Sequence, residues 1–191
     1  MGGALTACKK SAPAPNQTGA QTTANPDGAE ADIPKSQVRR FTHDAGKVSI
    51  AYPEDWDVKL DTPPFNIIGL SPAEGGEDLF LDNVSVRIGV VGPDADAQKV
   101  ANIEMRALAR DADGFRRKGL SAETIDGTQA IRLDYEVDII DELFERRIRC
   151  VLFIMVENEL AYAVTCSAFA PDYDRYRGAM LDIARSIRFE E

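Results

Sequence analysis

The chain has 191 residues, 44% of them hydrophobic, with a formal net charge of −10, one histidine and three cysteines. That length holds one domain of ordinary size plus a tail, and no apolar run approaches the roughly 20 residues of a membrane span. Such acidity repels nucleic-acid phosphates and anionic headgroups, so nucleic acid is excluded as a general partner and membrane association has to come through an anchor. Residues 1–36 are neutral, with Lys9, Lys10 and Lys35 balancing Asp27, Glu30 and Asp32, so the deficit lies entirely in the remainder.

At the N-terminus, Leu5-Thr6-Ala7-Cys8 resembles the lipobox of bacterial lipoproteins, in which small residues before a lipidated cysteine fit a narrow signal-peptidase site. Only seven residues precede Cys8, so the reading expects a truncated signal peptide over residues 1–8. Met1-Gly2-Gly3-Ala4-Leu5-Thr6 also fits a myristoylation pattern, which belongs mainly to eukaryotic cytosolic proteins. The segment after Cys8 favours the lipobox. Residues 9–37 are Ala, Thr, Gln, Asn, Pro and Gly with almost nothing to bury, a composition expected to stay disordered and to span about 30 Å as a coil. A lipidated Cys8, a polar tether and a folded domain over residues 38–191 describe a cell-envelope lipoprotein facing the periplasm. Lys9 stands where an aspartate would favour inner-membrane retention in enteric bacteria, so the outer membrane is the expected location.

Val48, Ile50 and Tyr52 then alternate as a strand that Pro53 ends. Trp56, Val58 and Leu60 come next, then Pro63-Pro64, a short apolar run Phe65–Leu70 and the loop Ala73–Asp78. Val84, Val86, Ile88 and Val90 make another strand. The spacing of Val100, Ile103, Ala107, Leu108 and Phe115 predicts a helix from about Ala95 to Arg117. Asp126-Gly127 is the strongest hairpin signal and joins a strand Leu120–Ile125 to three long strands filling Gly127–Phe169. Turns at Asp141-Glu142 and Glu157-Asn158-Glu159 separate those three. Tyr173, Tyr176, Met180, Ile183 and Ile187 form a helical stripe, with Asp172 and Asp174 in its first turn and Arg185 and Arg188 in its last. Apolar residues on both faces of the central strands call for cover on both sides. The expected class is α+β, an antiparallel meander with a helix against each face.

Tyr52-Pro53-Glu54-Asp55-Trp56 resembles the opening of PsbP-like and DcrB-like domains, and Tyr173-x-x-Tyr176 with Ile183-Ala-Arg-Ser-Ile-Arg-Phe189 is similar to their closing helix. The resemblance covers about residues 40–190 and implies a Mog1/PsbP-like αβα sandwich. It also implies a binding or assembly role with an envelope protein partner, and no catalytic set or cofactor to carry over.

Chemistry-bearing residues are sparse. His43 is the sole histidine, with no second one for a metal site or relay, and reads as a surface residue. Glu74-Gly75-Gly76-Glu77-Asp78 lacks the alternation of a calcium loop and reads as a solvated loop. Arg116-Arg117-Lys118 and Arg146, Arg147 and Arg149 are basic islands in an acidic domain; the second is the candidate partner surface, and the more economical reading pairs both with nearby carboxylates. A turn centred on Asp141-Glu142 sets Glu136 opposite Arg147 and Asp134 opposite Arg149. A three-residue loop Glu157–Glu159 sets Cys150 opposite Cys166 on one apolar face, which leaves a disulfide and two buried thiols both open. The expected function is a membrane-tethered, non-catalytic binding module. The alternative is a small-ligand carrier or hydrolytic enzyme with a pocket near Trp56, Phe65 and Phe80.

Overall fold

A computed structural model describes residues 37–73, 82–140 and 145–190. Along the chain come β1 (Val38–His43), β2 (Val48–Pro53), β3 (Asp57–Thr62), β4 (Phe65–Leu70), β5 (Asn83–Val90) and α1 (Ala97–Asp111). After them come β6 (Arg116–Ile125), β7 (Thr128–Ile140), β8 (Glu145–Glu157), β9 (Leu160–Phe169), α2 (Tyr173–Arg185) and β10 (Arg188–Phe189). The large sheet has seven strands in the order β3-β4-β5-β9-β8-β7-β6, and a second sheet has three in the order β1-β2-β10. All pairs are antiparallel.

The chain order explains the layering. From β5, in the middle of the large sheet, the chain crosses one face as α1 and enters β6 at the far edge. It then winds back through β7 and β8 until β9 pairs with β5, Val84 opposite Cys166. Beneath α1 lie Leu133, Tyr135, Ile148, Cys150, Leu152 and Ile154. The opposite face buries Val84, Val86, Val151, Phe153, Met155, Val164 and Cys166 against α2 and against Val48, Ile50 and Tyr52 of β2. The expected simple meander is therefore corrected by a second sheet that shares a layer with α2. Tyr52 fastens the two sheets: its hydroxyl donates to Val84 O at 2.9 Å, and its ring occupies the space that a Cβ on Gly69 would fill.

Helix α1 is shorter than expected. Asp96 caps it, accepting from Lys99 N at 2.7 Å, and it ends at Asp111, so residues up to Arg117 belong to a turn and to β6. It presents Ala97 and Ala101 to the sheet, one turn apart, with Val100, Met105 and Leu108 alongside. Ile103 lies about 200° around the axis from Ala101 and is exposed, not part of the inward stripe. Helix α2 ends at Arg185, and Arg188 pairs with Ser49 in β10 instead of completing the last turn.

Two registers also differ. Asn158 and Glu159 both have positive φ, 50° and 62°, and form a two-residue turn with Glu157 opposite Leu160. That is one residue fewer than the expected loop. Cys150 therefore faces Ser167, and Val151 faces Cys166. The two cysteines lie under opposite faces of the sheet as free thiols, which corrects the expected Cys150–Cys166 pairing and decides the open choice in favour of two buried thiols. At the other end of β8, Ile140 pairs with Glu145, a slip of two that keeps the faces and changes the partners. Arg147 sits opposite Asp138 and Arg149 opposite Glu136.

Candidate functional site: the charged face of β6, β7 and β8

On β7 the odd positions Leu133, Tyr135 and Val137 turn toward α1, which sends Asp134, Glu136 and Asp138 to the other face. On this part of the face strands β6 and β8 supply cations, and α2 touches only its margin. Arg116 clasps Asp138 with both terminal nitrogens, at 3.3 and 2.8 Å, and Arg147 Nε donates to the same carboxylate at 3.1 Å. Lys118 Nζ lies 3.0 Å from Glu136, and Arg149 Nε lies 3.9 Å from it. Arg149 also reaches Asp174 on α2 at 3.3 Å and stacks 4.3 Å over the Tyr173 ring. Arg132 and Asp134 form a separate two-bond pair at 2.9 and 2.7 Å.

The cations lie above and the carboxylates beneath. The Asp138 and Glu136 side chains are 10% and 13% exposed, whereas Arg116, Lys118, Arg147 and Arg149 are 36–49% exposed. Each underlying carboxylate is shared by two cations. The Arg116 guanidinium, and after it Arg147, hold the Asp138 carboxyl below its usual range. The turn before β6 closes over this carboxylate: Asp138 N donates to Asp113 O at 2.9 Å. Gly114 has φ +57°, and a Cβ there would collide with the Asp138 carboxylate, so only glycine fits. The basic run Arg116-Arg117-Lys118 was legible in the sequence, but its place was not: Arg116 was expected at the end of a helix, and a bulge between Arg117 and Gly119 sets both cations on this face.

The three candidate arginines are divided. Arg147 and Arg149 share the charged face, while Arg146 turns to the α1 face and stacks 4.7 Å over Phe169. Trp56 belongs to the core, 6.1 Å from the Tyr52 ring, and Phe65 is half-buried at the start of β4. Phe80, the loop segment Glu74–Asp78 and the whole of residues 1–36, with Cys8, lie outside the described residues. His43 is not a surface side chain, being only 10% exposed. Its Nδ1 accepts from Gly46 N at 2.9 Å, which puts the hydrogen of the neutral ring on Nε2, 2.9 Å from Asp61 Oδ1. His43 thus clasps the end of β1 to β3. Among the described residues no group of three potential metal ligands converges, and no helix is long and apolar enough to cross a membrane.

An antiparallel sheet with a crossover helix on one face, and a second helix and small sheet on the other, defines a Mog1/PsbP-like fold. Solved structures bear this out. PsbP from the cyanobacterium Synechocystis aligns with a TM-score of 0.61 at 15% identity, over 86% of this chain and 99% of its own. LpqN of Mycobacterium tuberculosis, described as involved in cell envelope biogenesis, aligns at 0.60 and 14% identity, over 82% and 93%. The Ran-binding protein Mog1p of Saccharomyces cerevisiae aligns at 0.56 and 7% identity, over 81% and 96%. No family model and no curated protein matches the chain.

Proposed function

We propose that this protein is a lipid-anchored binding module of the bacterial cell envelope, without a catalytic step of its own. The observation that carries the binding reading is the layering on β6, β7 and β8, where cations are held outward over nearly buried carboxylates. Acid and base groups locked in mutual ion pairs on a packed sheet are arranged for contact, whereas acid–base catalysis needs a group free to exchange its proton. The lipobox-like Leu5-Thr6-Ala7-Cys8 and the polar segment after it support the anchor and tether, with residues 38–191 as the binding domain and Lys9 favouring the outer membrane. The likeness to LpqN fits an envelope role, and the likeness to Mog1p fits a protein partner.

The anchor is tested by expressing the full-length precursor and its Cys8→Ser variant in a bacterial host with radiolabelled palmitate. The expected result is label and membrane association for the parent, and an unlabelled, folded, soluble variant. A variant that stays with the membrane after a salt wash would overturn the anchor.

A further inference from the structure

We infer that the cation layer of Arg116, Lys118, Arg147 and Arg149 is a docking surface for an extended acidic segment of a partner protein. The inference takes its biological setting from the binding-module reading and adds the chemistry of the partner. Four cations stand over two nearly buried carboxylates, and the exposed carboxylates Asp174 and Glu145 lie at the margin. The outward-facing groups of the patch are therefore mainly cationic, in a chain whose net charge is −10. Because Glu136 and Asp138 fix the cations from below, little side-chain ordering remains to oppose binding. Arg147 meets Asp138 through Nε, with its side chain 49% exposed.

The position of these cations indicates the shape of the partner. β6 is the last strand of the large sheet and has no strand on its outer side among the described residues. A segment added along β6 would lie about 4.8 Å away and turn every second side chain to the cation face. Acidic residues at those alternate positions would meet Arg116 and Lys118 first, with Arg147 and Arg149 behind them. A flat anionic bilayer would also face the acidic remainder of the domain, which repels it. A narrow acidic strand on the Arg116–Lys118 end of β6 meets the cations first, with Glu123 farther along the same face and already paired with Arg185.

The test uses the full-length Cys8→Ser chain and a fluorescein-labelled decapeptide of alternating Thr and Glu, read by fluorescence anisotropy at low salt. The matching Thr–Lys peptide and phosphatidylglycerol vesicles are run in parallel. Arg147→Glu is expected to weaken binding of the Glu peptide about tenfold. Arg106→Glu, the same charge change at an exposed position on α1, is expected to change it less than about twofold. Lys118→Gln, which leaves Arg149 on Glu136, should weaken binding and serves if Arg147→Glu fails to fold. The inference is overturned if neither patch variant weakens the complex, if the Lys peptide binds equally well, or if the vesicles bind more tightly than the peptide. None of these outcomes bears on whether Cys8 is lipidated.

Discussion

Ser186 serves Ala51 as a neighbouring strand would. Its hydroxyl oxygen accepts from Ala51 N at 2.8 Å, and its own hydrogen lies between Ile183 O at 2.7 Å and Ala51 O at 3.3 Å. β10 pairs with β2 only at Ser49 and Val48, so the hydroxyl extends the ladder by one more rung. Ser186→Ala leaves a buried N–H unpaired and is expected to cost about 1–3 kcal/mol. Urea unfolding should show a lower midpoint at unchanged slope, and an unshifted midpoint would mean that Ser186 is dispensable.

The β8–β9 turn stores strain that a substitution can release. Glu159 sits at φ 62° without being glycine, whereas the β6–β7 turn uses Asp126-Gly127, with Gly127 at φ 80°. Glu159→Gly recreates the preferred Asn-Gly pair and is expected to stabilise the protein by about 1 kcal/mol. A three-residue loop in the register first expected would gain nothing from this change, so thermal unfolding of the variant also tests the register.

Asp138 should mark the acid limb of stability. The Arg116 side-chain bonds, with Arg147 adding to them, lower its pKa in the folded state. A carboxyl with a lowered folded pKa stabilises the fold above its unfolded value, near 4, and loses that contribution as pH falls through the folded value. Asp138→Asn is therefore expected to be less stable than the parent at pH 7 and to approach it as pH drops below about 4. Urea unfolding at several pH values checks this. A gap that stays constant across the range would show that the ion pairs contribute nothing.

Cys150 and Cys166 should behave as separate buried thiols. Burial pushes both thiols up, and each has its own partner: Cys150 Sγ donates to Ser167 Oγ at 3.6 Å, and Cys166 Sγ to Met180 O at 3.4 Å. In the Cys8→Ser protein, a thiol reagent at pH 8 should label neither cysteine while the chain is folded. Both should be labelled once it is unfolded without reductant. A single disulfide recovered from the native protein would contradict the opposed faces.

Much of this architecture follows from the sequence alone. Period-two alternation marks Ile131 to Ile139 as a strand, Asp-Gly marks its turn, and the stripe from Tyr173 to Ile183 marks α2, because each of these is a local property of the backbone. The charged alternation of Asp134, Glu136 and Asp138 was also legible, as was the proximity of arginines. Which arginine meets which carboxylate was not. A slip of two at the β7–β8 turn preserves every face, so apolar patterning cannot detect it. A slip of one is normally forbidden by that patterning. β8 is buried on both faces, however, with Val151 and Phe153 on one side and Cys150 and Leu152 on the other. Either register would bury it equally well, and the choice fell to the backbone of Asn158-Glu159. The second sheet left still less trace, since a strand of two residues, Arg188–Phe189, is too short for any period. Contacts between residues far apart in the chain decide where it lies, among them the packing of Tyr52 against Gly69, the His43–Asp61 clasp and the bonds from Ser186 to Ala51.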